Sequence, residues 1–416
     1  MYKSIISSIA LIILSSFLLT NCQNSDSSFT IQEIINPSAP NSGEAFITVS
    51  PDNKLYLSWL EEIDTTKTML ALSHLDGASF KPAKPIATGQ DWFINWADFP
   101  GIGFIGNTNP ALFAYWLQMS TSGTYDYDIN YTLSQDSGNT WKNYKVLHND
   151  GIAAEHGFVS SCTINDRLLA VWLDGRHTKL DQASVDADAH GHEHSDGGAM
   201  TLRSAVMNQS GEISQRLEID AKVCDCCQTD VTGSDCGPIV VYRNRSNDEI
   251  RDIYFSILKD TGWITPKAIH PDGWKINGCP VNGPRIAASK NLIAVAWYTE
   301  SGGFRKTLLN TSSDCGKSFS KPVILSFDST AMGRIDIQIN DDQDIYVSYM
   351  EEHKDEAAIW LAKCNSNGQI LKKEIIAKNG KSRKSGFPRM AIYDKHIYIA
   401  YRDILYTDRI KVLKIS

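Results

Sequence analysis

The chain has almost no segment with the apolar periodicity of an amphipathic helix, and beyond its first 20 residues it has no long apolar run. The first absence argues against a helical fold, and the second argues against membrane-spanning helices in the mature chain. An excess of basic residues is also missing, since the net charge is -8. That charge argues against nucleic acid as a partner.

The N-terminus has the pattern of an export signal. Lys3 precedes the apolar stretch "IISSIALIILSSFLLT", which is short for a membrane helix and ends at Leu19-Thr20-Asn21-Cys22. This ending resembles a bacterial lipobox, although Asn21 departs from the usual small residue. We therefore expect residues 1–21 to be a lipoprotein signal peptide, Cys22 to be lipidated, and residues 22–28 to be a tether. The alternative is a plain secretory signal with a chance cysteine. The expected location is the bacterial cell envelope, at the outer membrane, with the lipid anchor as the membrane contact.

Eight of the nine cysteines remain after Cys22, an even number that fits disulfides in an exported protein. Three of them lie in "VCDCCQTD", residues 223–230. No second cysteine pair with zinc-ribbon spacing follows this stretch. The cluster is therefore a disulfide knot, a metal site or a redox site.

Short aromatic-rich strands recur along the chain. Each has alternating apolar positions, follows another strand after a tight turn, and is followed by a third strand, a glycine-bearing turn and a fourth strand. The seven copies are "KLYLSWLEE", "PALFAYWLQ", "RLLAVWLDG", "PIVVYRNR", "LIAVAWYTE", "DIYVSYMEE" and "HIYIAYRD". Four strands per unit at a period of roughly 50 residues indicate a β-propeller.

Two turns between third and fourth strands share a motif. "SQDSGNTW" and "SSDCGKSF" match the pattern S-x-D-x-G-x-x-W, with phenylalanine in place of tryptophan in the second. With these motifs the chain resembles the sialidase-like, Asp-box propeller superfamily over nearly all of its mature length. The resemblance implies structural roles, which we expect for Asp136, Gly138, Trp141, Asp314, Gly316 and Phe319.

The number of blades follows from the two ends of the chain. The last unit, from "PRMAIYD" to "RIKVLKIS", lacks a fourth strand, and the N-terminal "FTIQEIIN" is a strand without a unit. If this strand completes the last unit, it closes the ring and removes the open sheet edges. The sequence thus predicts an all-β fold: one propeller over residues 29–416, with seven four-stranded blades. Six blades, the number in sialidases, is the alternative.

Sialidase chemistry needs an arginine cluster that grips a carboxylate, a tyrosine nucleophile and an acid. The candidates are Arg243, Arg285, Arg334 and Arg389 for the cluster, Asp98 for the acid, and Tyr401 or Tyr298 for the nucleophile. The early "RIP" signature of the family is absent. The alternative role for the arginines is salt bridging between neighbouring loops.

The remaining candidates lie in loops that we expect on the face opposite the Asp-boxes. In one alternative, Cys279 forms a disulfide with Cys226 or Cys227. In the other, these three cysteines and His156 form a site for copper or zinc, with an insertion that bears three more histidines. Cys162 is expected beside Cys224. The histidines of the insertion are His190, His192 and His194. The other ligand-binding candidates are Trp96, Asn277, Asn282 and Asp336.

The sequence therefore favours a ligand-binding propeller, with an acidic glycan or a soft metal ion as the ligand. An exo-sialidase is the first alternative, and a protein-interaction propeller without chemistry is the second.

Overall fold

The computed structural model describes residues 28–179 and 198–416. The signal peptide, Cys22 and the histidines His190, His192 and His194 lie outside the described residues, so the predictions for them stay predictions. The described chain is built from strands with a few single turns of 3-10 helix, at Ser301–Gly303, Asp328–Thr330 and Arg383–Ser385. None of the helices in this part of the chain has the length and apolar character of a membrane span.

Seven antiparallel sheets form the blades of a propeller, which confirms the predicted fold class and blade number. The strands of blades one to three are β1 (Ile31–Ile34, part of blade seven), β2 (Gly43–Val49), β3 (Leu55–Glu62), β4 (Thr68–Asp76), β5 (Ser79–Phe80), β6 (Lys84–Gly89), β7 (Gly101–Ile105), β8 (Ala111–Met119), β9 (Tyr127–Ser134), β10 (Lys145–Val146), β11 (His156–Ile164), β12 (Arg167–Asp174), β13 (Thr201–Met207) and β14 (Ile213–Asp220).

The second half of the chain repeats the arrangement. Blades four to seven consist of β15 (Asp230–Thr232), β16 (Ile239–Arg243), β17 (Ile253–Lys259), β18 (Gly262–Trp263), β19 (Lys267–Ala268), β20 (Arg285–Ser289), β21 (Leu292–Thr299), β22 (Lys306–Ser312), β23 (Val323–Phe327), β24 (Ala331–Ile339), β25 (Ile345–His353), β26 (Glu356–Cys364), β27 (Ile370–Asn379), β28 (Arg389–Tyr393), β29 (His396–Asp403) and β30 (Arg409–Ile415).

The N-terminal strand closes the ring as predicted. β1 pairs antiparallel with β30, with Ile31 opposite Ile415 and Ile34 opposite Val412. Ile34 is buried in the core between blades seven and one, while neighbouring Ile35 points to solvent. Because blade seven takes its outermost strand from the other end of the chain, the two termini hold each other in place.

The second strands supply the cores between blades. They are almost continuously buried, as in Leu55–Glu62 and Leu292–Thr299, because a middle strand has neighbours on both sides and blades stacked on both faces. The tryptophans Trp59, Trp172 and Trp297 on these strands are fully buried between adjacent blades.

Both Asp-box turns have the same hydrogen bonds. Asp136 Oδ1 accepts the amide N–H of Thr140 at 2.8 Å, and the Ser134 hydroxyl accepts the amide of Gly138 at 2.9 Å. Asp314 and Ser312 repeat these bonds, and Phe319 packs edge-on against Phe255 of the preceding blade. The carboxylates accept several hydrogen bonds, beginning with the bonds of Thr140 and Ser318, which lower the pKa of Asp136 and Asp314 to about 2.

Three innermost strands carry the same irregularity near their start. The pairing of β2, β11 and β24 slips at Gly43/Phe46, Gly157/Ser160 and Gly333/Asp336. A non-glycine residue has a left-handed φ at each slip, namely Glu44, Phe158 and Arg334. Bulges re-aim the side chains at one end of the central channel. That end is opposite the Asp-boxes, because it receives the connections from fourth strands to first strands.

Candidate functional site

A cavity of about 430 Å³ runs along the innermost strands at the centre of the ring. Aspartates from alternate blades each accept the backbone N–H of the next blade's innermost strand, so they join neighbouring blades. The three bonds are Phe158 N to Asp98 Oδ1 at 2.7 Å, Ile286 N to Asp230 Oδ2 at 2.8 Å, and Met390 N to Asp336 Oδ2 at 2.7 Å.

Two of the predicted clamp arginines are already paired with these aspartates. Arg285 Nη1 lies 3.3 Å from Asp230 Oδ1, and Arg285 Nε lies 3.0 Å from Asp336 Oδ1. Arg389 Nε lies 3.3 Å from Asp336 Oδ2. Asp336, predicted to bind ligand, therefore holds two buried guanidinium groups between blades five, six and seven. The structure favours the salt-bridging alternative for these arginines.

Arg243 and Arg334 are also bound to the scaffold. Arg243 is only 1% exposed and donates to the carbonyls of Arg251, Asn282 and Tyr298 at 2.7–2.9 Å. Arg334 donates from Nη1 to the Ser382 carbonyl at 3.2 Å, and burial lowers its pKa to about 10. Arg243 and Arg334 thus bind carbonyl oxygens of the protein, and Arg285 and Arg389 are paired with its carboxylates, an arrangement that disfavours a clamp for a substrate carboxylate.

Two other predicted ligand contacts surround Arg334. Trp96 is half-buried, with the Arg334 guanidinium 5.1 Å from its ring centroid and Phe387 stacked at 5.4 Å. Asn282 accepts the Arg334 amide at 2.9 Å and donates to the Met332 carbonyl, so it links blades five and six. Asn277 is exposed in the connection between blades four and five.

The tyrosine predicted as a nucleophile is inside the protein. Tyr401 packs with Met350, Met390 and Ile399 in the core between blades six and seven, and burial raises its pKa. A nucleophile must reach the substrate and lose its proton readily, and this position opposes both requirements. Tyr298 donates to Glu300 at 2.5 Å and its pKa is likewise raised, first by burial.

Asp98 instead meets a tyrosine and a carboxyl that sequence reasoning missed. Tyr127 Oη lies 2.7 Å from Asp98 Oδ2 and 3.1 Å from Glu155 Oε1. A phenol carries one proton, so it can donate to only one carboxyl, and the second contact requires a protonated carboxyl. A Cβ at Gly157 would lie 1.9 Å from Asp98 Oδ2. Any side chain at this position would therefore displace the Asp98 carboxyl that contacts Tyr127.

Both carboxyl groups hold protons more tightly than usual. Burial raises the pKa of Asp98 to about 7, against the opposing bonds from Tyr127 and Phe158. Burial, followed by the charge of Asp98, raises the pKa of Glu155 to about 8, and charges on Asp225 and Cys224 add to the effect. The raised pKa values of both groups are consistent with a proton on one of the two carboxyl groups, in addition to the phenol proton of Tyr127.

The cysteine cluster contains one disulfide and one pair of free thiols. Cys226 is bonded to Cys279, joining the connection before blade four to the connection before blade five. Cys224 and Cys227 are free, and their Sγ atoms lie 3.5 Å apart. The disulfide alternative is thus the one adopted by Cys226 and Cys279, which are not thiolate ligands in this structure. We call Cys224, Cys226, Cys227 and Cys279, with Arg251, the thiol site.

The surroundings of Cys224 favour its thiolate. Arg251 Nη1 donates to Cys224 Sγ at 3.1 Å, and the backbone N–H of Cys224 donates to the Arg243 carbonyl at 3.0 Å. The hydrogen bond from Cys227 and then the charges of Arg251 and Arg243 lower the pKa of Cys224 to about 6, although burial opposes them. Burial and the neighbouring thiolate raise the pKa of Cys227. Of the two sulfurs, Cys224 is therefore the one whose thiolate form is favoured.

The other cysteines follow a different pairing from the expected one. Cys162 does not pair with Cys224: it is free in the channel wall, where burial raises its pKa to about 12. Cys236 and Cys315 form a second disulfide, which joins blades four and five. Cys364 is free and buried.

His156 does not join the cysteines. Its ring stacks on His148 at a centroid distance of 3.7 Å, Nδ1 lies 3.1 Å from the Ala154 carbonyl, and Nε2 lies 2.9 Å from Asp150 Oδ2. Arg176 Nε completes this network at 3.1 Å from Asp150. The prediction that His156 converges with Cys226, Cys227 and Cys279 is wrong, because both ring nitrogens are engaged in a separate buried ionic cluster between blades two and three.

Comparison with known proteins adds the fold and no more. No family model and no curated protein matches the chain. Among solved structures, it is similar to a variant of the α-L-arabinofuranosidase of Fusarium graminearum, with 12% identity, coverage of 93% of this chain and 98% of that one, and a TM-score of 0.50. At this identity the likeness shows a shared propeller fold.

Two further similar structures are a protein of unknown function from Dyadobacter fermentans and a sialidase variant from Streptococcus pneumoniae. The first has 12% identity, covers 93% of this chain and 99% of that one, and has a TM-score of 0.48. The second has 11% identity, covers 92% of this chain and 68% of that one, and has a TM-score of 0.42.

Proposed function

We propose that the protein is an exported, lipid-anchored propeller of the bacterial cell envelope whose thiol site binds a soft metal ion, copper(I). The observation that carries this proposal is the pair of free sulfurs, Cys224 and Cys227, held 3.5 Å apart with Arg251 donating to one of them. Thiolates are the ligands that copper(I) prefers in proteins. The anchor and the export are proposed from residues 1–22 of the sequence alone.

Copper(I) suits the thiol site better than zinc. Structural zinc takes four protein ligands, whereas Cys226 and Cys279 are bonded to each other and leave two sulfurs. A monovalent ion between two thiolates has one net negative charge. The Arg251 guanidinium beside Cys224 offsets that charge in a buried setting where an unpaired charge would be costly.

The same geometry gives less support to an acidic glycan or to sialoside hydrolysis. Of the four arginines predicted to grip a carboxylate, Arg243 and Arg334 donate to carbonyl oxygens of the protein, and Arg285 and Arg389 are paired with the carboxylate of Asp336. Tyr401 and Tyr127 are buried, so neither is placed to attack a sugar.

Anaerobic titration with copper(I), in competition with a chromophoric chelator, tests the proposal. We expect one copper per chain. We expect Cys227→Ser to weaken copper binding by at least roughly 100-fold, because the loss of a residue that only supports a metal ligand can already cost that much. The reason is that a serine hydroxyl is a hard donor and a poor copper(I) ligand.

The matched control is Cys364→Ser, which removes another buried free cysteine in blade six. It should leave the copper affinity unchanged. Equal copper affinity in the wild-type protein and Cys227→Ser would contradict the proposal.

A further inference from the structure

An oxidised pair and a reduced pair of cysteines lie side by side in the thiol site. The Sγ atoms of Cys224, Cys226 and Cys227 are all within 4.8 Å of one another, and Cys226 is at the same time bonded to Cys279. Four cysteines that share one neighbourhood can exchange their disulfide without large backbone movement.

The two pairs differ in their access to solvent. Cys224 is 1% exposed and Cys227 is 2% exposed, whereas Cys226 is half-buried and Cys279 is exposed in the connection that precedes blade five. A reagent or protein partner in solution can therefore reach Cys279 directly. The buried pair is far less accessible to such a reagent or partner.

We propose that the thiol site is a thiol–disulfide exchange site, in which the buried Cys224/Cys227 pair passes two electrons to the exposed Cys226–Cys279 disulfide. The geometry that supports the proposal is the placement of three sulfurs within 4.8 Å of one another, with Arg251 Nη1 3.1 Å from Cys224 Sγ. The proposal does not depend on copper binding.

The exchange has two steps. In the first, the Cys224 thiolate attacks Cys226 Sγ, the Cys224–Cys226 bond forms, and Cys279 leaves as a thiolate. In the second, Cys227 attacks Cys224 Sγ, 3.5 Å away, the Cys224–Cys227 bond forms, and Cys226 leaves. The proton of Cys227 passes to Cys226. The products are one disulfide, one thiol and one thiolate, as in the starting state, so atoms, charge and electrons balance.

The exchange links the buried pair to the outside. After exchange, the exposed Cys279 thiolate can attack a disulfide of another exported protein, while the buried Cys224–Cys227 disulfide is shielded from solvent. The chemical class of the partner is thus a protein disulfide, and Cys279 is the residue that contacts it.

A trapping experiment with N-ethylmaleimide on the folded full chain tests the exchange. The reagent alkylates Cys279 whenever exchange releases it, and so draws the equilibrium forward. After acid quenching, peptide mapping by mass spectrometry is expected to show alkylated Cys279 together with a Cys224–Cys227 disulfide. In Cys227→Ser, which lacks the second attack, we expect a Cys224–Cys226 disulfide instead.

Two control variants separate exchange from simple reactivity. Cys224→Ser removes the attacking sulfur, so Cys279 should stay bonded to Cys226 and unmodified, whereas Cys364→Ser should behave like the wild-type chain. The proposal is overturned if wild-type Cys279 remains bonded to Cys226 while Cys224 and Cys227 remain free throughout the incubation. Copper titration measures the metal affinity of Cys224 and Cys227 without requiring exchange, so failure of exchange and failure of copper binding are distinguishable.

Discussion

Replacement of Asp336 by asparagine is expected to lower the free energy of unfolding by about 3–5 kcal/mol, the usual cost of breaking a buried ion pair from one side. Asp336 is 1% exposed and lies within 3.3 Å of both Arg285 and Arg389. Asparagine keeps the shape and an acceptor for the Met390 amide but removes the charge. Arg389 is then left in the channel wall without a carboxylate at this distance among the described residues.

Denaturant unfolding followed by tryptophan fluorescence measures the effect. The matched control is Asp342→Asn on the exposed turn between β24 and β25, which should change the free energy of unfolding by less than about 0.5 kcal/mol. If Asp336→Asn unfolds at the same denaturant concentration as the control, Asp336 does not hold the two arginines as described.

Removal of residues 28–36 is expected to open the ring. The truncated chain loses the pairing of β1 with β30 and exposes the β30 edge, which is a template for pairing with another copy. It also loses burial of Ile34, so we expect the free energy of unfolding to fall by at least the ~2 kcal/mol that burying such a side chain contributes. Size-exclusion chromatography should show association of the truncated chain.

A peptide with the sequence of residues 28–36, added in trans, provides the control. It should restore both the monomer and part of the lost stability, because it can occupy the place of β1. A truncated chain that stays monomeric with the stability of the full chain would show that β1 does not close the propeller.

The fold was predictable because its determinants are local and repeated. Alternating apolar residues in each strand and tight turns at regular spacing gave the blades, and the missing fourth strand after "RIKVLKIS" gave the closure by β1. The pairing of Cys226 with Cys279 could also be predicted from the sequence, since both residues occupy equivalent connections of adjacent blades.

The site was less predictable because its contacts join distant segments. Whether Arg243 grips a ligand or three carbonyls depends on where Asn282 and Tyr298 come to lie, and no local pattern records that. Tyr127 and Glu155 were missed because neither belongs to a motif: Tyr127 starts the third strand of blade two, and Glu155 precedes blade three, so both are distant from Asp98 in sequence. The spacing Cys224-x-x-Cys227 was visible in the sequence and could have suggested a dithiol.

The state of the cysteines in the purified protein tests the central claim most directly. The protein is denatured without reduction, alkylated, digested and mapped by mass spectrometry. We predict four free thiols among the eight cysteines that follow Cys22, since either arrangement of the thiol site leaves the same number, together with an intact Cys236–Cys315 disulfide. Complete oxidation of Cys224, Cys226, Cys227 and Cys279 would contradict the account, because neither copper binding nor exchange is available without a reduced pair.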